Sequence, residues 1–169
     1  SSNKILQSEH AILVGAGHGI SRIAPILQDI AMRSKKDPDN IKLKRIDLFW
    51  LSSDDHYFEW FTKLLHEINF ADADTFFHYH IYFVDKQPEN MKEKMMYIST
   101  NILDKETDVI LIDNLWGKSS FGNPDWSIEL RELQSQNESR KSRLFFSGPR
   151  TMKGNIQSEC NKLDISYHE

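Results

Sequence analysis

The sequence predicts an α/β fold in which helices cover both faces of a parallel β-sheet. Two observations support this prediction. Short apolar runs, typical of buried strands, alternate along the 169 residues with segments that carry apolar side chains at helical spacing. A glycine-rich loop directly follows the first of these runs, as expected where a strand passes into a helix at a ligand site. Strands that alternate with helices form βαβ units, whose strands lie parallel.

The chain opens with a predicted strand, helix and strand. Residues 10–14 are His-Ala-Ile-Leu-Val, an apolar run that stops at Gly15 as a buried strand would. Residues 20–32 carry apolar side chains at helical spacing. Residues 35–42 are polar and contain an Asp-Pro pair, which indicates a surface loop. Residues 43–51 then form the second predicted strand.

The middle of the chain continues the alternation. One stripe of Tyr, Phe, Leu and Ile side chains predicts a helix over residues 57–68. Residues 76–84, Phe-Phe-His-Tyr-His-Ile-Tyr-Phe-Val, are typical of a third strand. We expect a helix over residues 91–103 and a short strand over residues 109–112.

The last third begins with a loop that contains Gly-Asn-Pro at residues 122–124. Apolar spacing then predicts a helix over residues 126–133 and a strand over residues 143–146. A final helix over residues 152–163 and a strand over residues 164–167 complete the pattern.

Composition limits the kind of protein this is. The formal net charge of −4 and the isoelectric point near 6.0 argue against a nucleic-acid-binding protein, which concentrates basic residues on one face. No apolar run approaches the ~20 residues that span a bilayer. Residues 1–4 lead into a strand-like segment instead of a signal peptide. No linker divides residues 1–169, and the single Cys160 fits a reducing compartment. We therefore expect one cytosolic domain that does not itself contact membrane or nucleic acid.

The loop after the first strand is the strongest candidate for a ligand site. Gly15, Gly17 and Gly19 alternate in it. Glycines let the backbone approach a ligand, and N–H groups at a helix N-terminus attract phosphate. The spacing differs from the Gly-x-Gly-x-x-Gly of standard dinucleotide-binding loops, and a turn needed only for packing is the alternative. Arg22 either adds a charge to a bound diphosphate or is an ordinary solvated residue.

Two further loops lie where parallel sheets bind ligands, at the carboxyl ends of strands. Ser53 and Asp54 follow the second strand and suit a ribose or phosphate contact, although a cap on the next helix is the better supported explanation. Ser147, Gly148 and Pro149 follow the late strand. There Gly-Pro is first of all a backbone device that starts a helix.

Metal and nucleophile chemistry find little support in the sequence. His78 and His80 lie on one face of a predicted strand, but no third ligand follows at suitable spacing. Cys160 lies in a predicted helix without an obvious base, so we expect a buried, inert thiol. We therefore predict no metal site and no hydrolase-type nucleophile.

Five motifs, taken together and in order, carry a family resemblance. They are Ser-Glu-His-Ala-Ile-Leu-Val-Gly-Ala-Gly at 8–17, Asp-Leu-Phe-Trp-Leu at 47–51 with Phe-Glu-Trp-Phe at 58–61, Phe-Gly-Asn-Pro-Asp-Trp at 121–126, Phe-Phe-Ser-Gly-Pro at 145–149, and Tyr-His-Glu at 167–169. From about residue 8 onward, the chain resembles the C-terminal nucleotide-binding lobe of the membrane NADPH oxidases. The calcium-regulated branch of that family looks nearest.

The resemblance implies a Rossmann-like lobe of the ferredoxin–NADP reductase type within a larger membrane protein. That protein would add an FAD-binding barrel and a transmembrane haem domain, with this lobe at the cytosolic face of the membrane. NADPH would pass a hydride to FAD, and electrons would cross through haems to oxygen, giving superoxide or hydrogen peroxide. The implied partners are NADPH, the FAD-binding domain of the same chain and cytosolic regulators.

The resemblance also implies a role for particular residues. Gly15, Gly17, Gly19, Ser21 and Arg22 would hold the diphosphate; Ser53, Asp54 and Lys118 would contact the adenosine ribose and 2′-phosphate; Gly148 and Pro149 would lie beside the nicotinamide, with Ser147 in the catalytic position.

The departures from the family pattern fall on the ligand. Ser53 and Asn123 replace two arginines, and Ser147 replaces the cysteine of Cys-Gly-Pro. The glycine loop lacks the family's proline, which is Arg22 here, and Asp55 adds an acid after Asp54. Because a 2′-phosphate needs cations, we expect weakened NADPH binding, which Lys118 and Arg22 offset in part. Serine at position 147 predicts slowed hydride transfer. Two alternatives stay open: a degenerate lobe that serves as a regulatory or interaction surface, and a related ferric reductase.

Overall fold

The computed structural model describes residues 2–68, 73–86, 89–90, 93 and 116–169. In these residues six strands form one sheet in the order β4-β3-β2-β1-β5-β6, and every neighbouring pair is parallel. The strands are β1 (His10–Ala16), β2 (Arg45–Ser52), β3 (Phe77–Phe83), β4 (Ser119–Phe121), β5 (Ser142–Ser147) and β6 (Ser166–His168). The helices are α1 (Ser2–Leu6), α2 (Ile20–Lys36), α3 (Asp55–Glu67), α4 (Ala73–Phe76), α5 (Trp126–Gln136) and α6 (Arg150–Lys162).

The parallel sheet with helices on both faces is confirmed. α1, α2 and α3 cover one face, where Leu13, Leu27 and Phe61 are among the buried side chains. α5 and α6 cover the other face, where Leu130 and Ile156 are fully buried. Burying a Leu, Ile or Phe side chain stabilises a fold by roughly 1.5–3 kcal/mol, so these two cores hold the helices on the sheet.

Several predicted boundaries differ from the structure. The strand expected to stop at Gly15 continues through Ala16, and α2 extends to Lys36, beyond the predicted end at residue 32. Residues 1–4 do not lead directly into a strand. Residues 2–6 form α1 instead, and its Ile5 and Leu6 pack into the core beneath α2. The predicted helix over residues 91–103 and strand over residues 109–112 lie outside the described residues.

The strand order reverses at β1. From β1 the chain builds outward through β2, β3 and β4 on one side, and β5 and β6 lie on the other side. β1 therefore has β2 and β5 as its neighbours, and Gly15 lies opposite both Trp50 and Ser147. The carboxyl ends of β1 and β5 diverge into loops at this point, which is where open parallel sheets bind ligands.

A buried polar network joins the first residues of β5, β1 and β2. The His10 ring lies between Ser142 Oγ, 2.7 Å from its Nδ1, and Asp47 Oδ2, 2.6 Å from its Nε2. Arg45 donates two hydrogen bonds to the Asp47 carboxylate, at 2.8 and 3.1 Å. Because these partners sit on three adjacent strands, the network fixes their register at the edge opposite the glycine loop.

Burial of Asp47 opposes its ionisation, but the hydrogen bonds from His10 and Arg45, and their charges, outweigh that penalty and lower the pKa of the Asp47 carboxyl. The carboxylate is therefore the stable form inside the sheet.

Candidate nucleotide-binding site

The loop after β1 is a single tight turn, Gly17–Gly19, that leads directly into α2. Gly17 has a φ of +57°, a left-handed conformation that side-chain-bearing residues rarely adopt. A Cβ placed on Gly17 would meet no atom within 4 Å. The backbone at Gly17 therefore faces open space, as a surface that a ligand can approach closely.

The other two glycines have a packing role. A Cβ on Gly19 would lie 1.9 Å from the Ser147 carbonyl oxygen, so this glycine lets the β1 loop touch the end of β5. A Cβ on Gly15 would lie 2.9 Å from side-chain carbons of Ile20 and Ile23, so Gly15 lets α2 pack close to β1. The packing alternative thus applies to Gly15 and Gly19, and only Gly17 is open.

The loops after β1 and β5 enclose one depression. Its volume is about 360 Å³, and both glycine-rich turns contribute backbone to its wall. The lining residues are Ala16, Gly17, His18, Gly19, Arg22, Ser147, Gly148 and Pro149. Six of the predicted site residues are therefore brought together here.

Two residues of α2 differ in what they offer this depression. The Ser21 hydroxyl donates to the His18 carbonyl at 2.7 Å, so its proton is used to close the turn. Arg22 is exposed and forms no ion pair with any described side chain. The guanidinium of Arg22 is thus available to an anion, whereas Ser21 must rotate before it can donate to one.

A larger depression of about 740 Å³ adjoins the first one and shares Arg22, Ser147 and Gly148 with it. Phe145 and Ile23 contribute to its apolar floor. Although it is the larger, it lacks the glycine turn, so the smaller depression is the candidate nucleotide site and the larger is its continuation.

The rim of the larger depression carries a close ion pair. Lys153 Nζ lies 2.6 Å from Glu169 Oε1, and this hydrogen bond is the main cause that lowers the pKa of Glu169. Arg150 lines the same rim, which therefore has an excess of positive charge.

Ser53 and Asp54 are exposed at the carboxyl end of β2, next to the β1 loop in strand order. The Ser52 hydroxyl bonds the Asp54 backbone N–H at 3.0 Å and its carbonyl at 3.1 Å, which shapes the turn. Asp54 immediately precedes Asp55, the first residue of α3. Asp54 therefore occupies the position of a helix cap and also lies at the carboxyl end of the strands, where the candidate site is.

The structure does not bring Lys118 to this edge. Its Nζ lies 4.5 Å from the centre of the Tyr79 ring, and it lines a separate depression together with Arg45 and His78. Arg45 is the first residue of β2, so that depression lies toward the opposite end of the strands. Lys118 is therefore not placed to compensate for the arginine missing at Ser53.

The Phe-Gly-Asn-Pro-Asp-Trp segment positions α5. Gly122 has a φ of +96°, a conformation that favours glycine. Asp125 accepts hydrogen bonds from Ser127 and from the Ile128 N–H, and the bond with Ser127 is the main cause that lowers the pKa of Asp125. Trp126 packs edge-on against Phe49 at 5.3 Å in the second core. These contacts are structural.

Among the described residues, no three His, Cys, Asp or Glu side chains lie together as metal ligands would. His80 stacks on Phe49 at 4.9 Å, and burial lowers the pKa of its imidazole. Cys160 is fully buried, and burial raises the pKa of its thiol to about 12. The prediction of a buried thiol is thus confirmed. In the part of the chain described, no helix is long and apolar enough to cross a membrane.

Sequence reasoning missed His18 as a site residue. His18 is exposed in the depression, and its Nδ1 lies 3.1 Å from the hydroxyl of Tyr57 on α3. A histidine between two glycines is visible in the sequence. The contact with Tyr57 cannot be read from the sequence, because Tyr57 is 39 residues away along the chain.

A parallel sheet whose order reverses at β1, with a glycine loop at that reversal, defines a Rossmann-like nucleotide-binding domain. The chain belongs to the ferric reductase NAD-binding domain family, whose model matches residues 8–161.

The chain is also similar to individual NADPH oxidases and dual oxidases. The chain is 28% identical to human NADPH oxidase 5, over 99% of this chain and 25% of that protein. It is 27% identical to mouse NADPH oxidase 1, over 95% of this chain and 27% of that protein. The dual oxidase of Drosophila melanogaster is 24% identical, over 92% of this chain and 10% of that protein. The resemblance to the nucleotide-binding lobe of NADPH oxidases is confirmed, and the chain spans about a quarter or less of these relatives.

Proposed function

We propose that this chain binds NADPH at the edge between β1 and β5 and holds it for hydride transfer to FAD on another domain of the same protein. The observation that carries the proposal is the open Gly17 backbone beside Ser147, Gly148 and Pro149, at the reversal of strand order. Membership in a family of NAD-binding domains supports the same ligand class.

The diphosphate would lie over the β1 loop. The backbone at Gly17 faces open space, and the first N–H groups of α2 point out of the helix at this end. Arg22 adds a positive charge without a competing carboxylate partner among the described residues. Together these groups fit an anion that carries two phosphates.

The nicotinamide would lie beside the β5 loop. No described residue forms a hydrogen bond with the Ser147 hydroxyl, which is half-buried at the wall of both depressions. Gly148 is exposed next to it and leaves space for a flat ring. The work of Ser147 here is orientation, since the redox chemistry belongs to the nicotinamide and the flavin.

The whole protein would be an NADPH oxidase at a membrane, with this lobe on the cytosolic side. FAD and haem would be held by its other domains, with oxygen reduced to superoxide or hydrogen peroxide, and cytosolic regulators would act on it. One relative, 26% identical over 90% of this chain, is named a superoxide-generating NADPH oxidase heavy chain subunit in Dictyostelium discoideum. The larger depression, open beside Ser147, would face the FAD-binding domain.

Calorimetric titration of this chain with NADPH and with NADH tests the proposal. We expect submillimolar binding of NADPH that is lost in Gly17→Phe, which fills the open space over the loop. Gly154→Phe is the matched control, because a Cβ at Gly154 in α6 also meets nothing within 4 Å but lies outside the depression. Gly19 variants are unsuitable because Gly19 packs on Ser147.

Absence of binding by either nucleotide at several millimolar, in a sample with native circular dichroism, would reject the proposal. The chain would then be a regulatory or interaction surface. Binding together with ferric ion as the acceptor of the full-length protein would instead identify a ferric reductase.

A further inference from the structure

We infer that His18, held by Tyr57, is a diphosphate-binding residue that acts together with Arg22. The inference rests on the proposed function and adds to it a residue outside the glycine pattern. His18 occupies the second position of the Gly17–Gly19 turn, and the side chains of His18 and Arg22 line the same depression of about 360 Å³.

The His18 ring is oriented by α3. Its Nδ1 lies 3.1 Å from the Tyr57 hydroxyl, and the two rings meet edge to face with centroids 6.4 Å apart. Tyr57 in turn packs edge-on against Trp60 at 6.3 Å. The ring is thus held from the side of α3 although His18 itself is exposed.

The contact with Tyr57 leaves the outer ring nitrogen, Nε2, open to a ligand. When the Tyr57 hydroxyl donates to Nδ1, the imidazole carries its proton on Nε2, and no described residue accepts from it. The other neutral tautomer donates from Nδ1 to the Tyr57 oxygen and leaves Nε2 without a proton, so an anion at Nε2 selects the first arrangement.

A diphosphate is the ligand group that fits these donors. The depression offers Nε2–H, the Arg22 guanidinium and backbone at Gly17, and none of the described residues that line it carries a carboxylate. The nearest acid in strand order is Asp54, at the end of β2 and outside the lining. An oxygen-rich dianion accepts from all of these donors, and an adenine or ribose accepts from few of them.

The test is calorimetric titration of this chain with NADPH. We expect His18→Gln to lose about fivefold to tenfold in affinity. His66→Gln, an exposed histidine in the last turn of α3, is the matched control and keeps the wild-type affinity. Tyr57→Phe keeps the ring packing but removes the hydroxyl, and we expect a smaller loss.

Inorganic pyrophosphate gives a second, independent readout by NMR. Pyrophosphate should shift the ring proton signals of His18, which are assigned by their absence in His18→Gln. An unchanged His18 signal, or a His18→Gln variant with wild-type affinity for NADPH, overturns the inference and leaves the proposed function intact. Failure of the wild-type chain to bind NADPH rejects both.

Discussion

At the scale of single residues, Asp47 illustrates how one buried charge organises three strands. Its carboxylate has no exposure and accepts from His10 and Arg45. Asp47→Asn leaves Arg45 without its charged partner in the sheet. We expect the free energy of unfolding to fall by about 3 kcal/mol at pH 7, since breaking a buried pair by changing one partner costs roughly that much. Urea unfolding followed by circular dichroism measures it.

The pH dependence of this loss has a definite sign. The folded pKa of Asp47 lies below the ordinary value of 3.8, so its stabilisation is present above that value and is lost as pH falls through the folded pKa. The difference between wild type and Asp47→Asn should therefore be constant from pH 7 to 5 and shrink below pH 4. Asp29→Asn, which breaks an exposed pair with Arg33, is the control with little change. A difference at pH 3 as large as the one at pH 7 would contradict this account.

We propose Ser53 as the residue at which the choice between NADPH and NADH can be changed. It is exposed at the end of β2, and Lys118 lies too far along the sheet to take its place. Ser53→Arg supplies a guanidinium beside the expected 2′-phosphate, and we expect NADPH affinity to rise about tenfold with NADH affinity little changed. Calorimetry with both nucleotides measures this, and Ser53→Gln controls for side-chain length. Equal gains for NADPH and NADH would place the 2′-phosphate elsewhere.

At the scale of elements, the glycine turn joins β1, α2 and β5. Gly19→Ala places a Cβ 1.9 Å from the Ser147 carbonyl and forces the two loops apart. We expect a loss of more than about 2 kcal/mol in the free energy of unfolding. Gly17→Ala, two residues away, meets no atom and costs only the left-handed conformation, about 1 kcal/mol. Chemical denaturation of both variants compares the costs, and equal losses would refute the packing role of Gly19.

The sequence predicts most of these elements because the apolar periodicity of each one can be read within its own segment. Apolar periodicity places α2 and β1 within a few residues of their observed bounds. The pattern does not predict β4, which has three residues, two of them serine, and which among the described strands pairs only with β3. Nor does it predict α1, whose burial of Ile5 and Leu6 depends on contacts with α2.

The candidate site is predictable only as far as the order of strands and loops determines it. The carboxyl ends of parallel strands meet at one edge, so the loops at Gly17 and Ser147 are expected to converge from topology alone. Which glycine is open, where Lys118 points and what holds His18 depend on tertiary distances. Motif order assigned Lys118 to the ligand, and only the structure shows it over the Tyr79 ring.

At the scale of the whole molecule, the two cores differ in how far they cover the sheet. The face of α5 and α6 is closed over β5 by Ile156 and Cys160. On the opposite face, the depression of about 740 Å³ leaves Phe145 partly exposed, stacked on His168 at 5.0 Å. The less covered face adjoins Ser147, so a domain that docked there would bring its own cofactor to the nicotinamide position.

A domain docked on this face would place hydride transfer beside Ser147, so this side chain would influence the transfer rate. Where the family has cysteine, this chain has a hydroxyl, which is smaller and less polarisable than a thiol. Ser147→Cys in the full-length protein should therefore speed flavin reduction by NADPH roughly fivefold, equivalent to about 1 kcal/mol in the barrier, with unchanged nucleotide affinity. Anaerobic stopped-flow absorbance at the flavin band measures the rate. Ser135→Cys, an exposed serine on α5, controls for an added thiol. An unchanged reduction rate in Ser147→Cys would show that position 147 has no part in the transfer step.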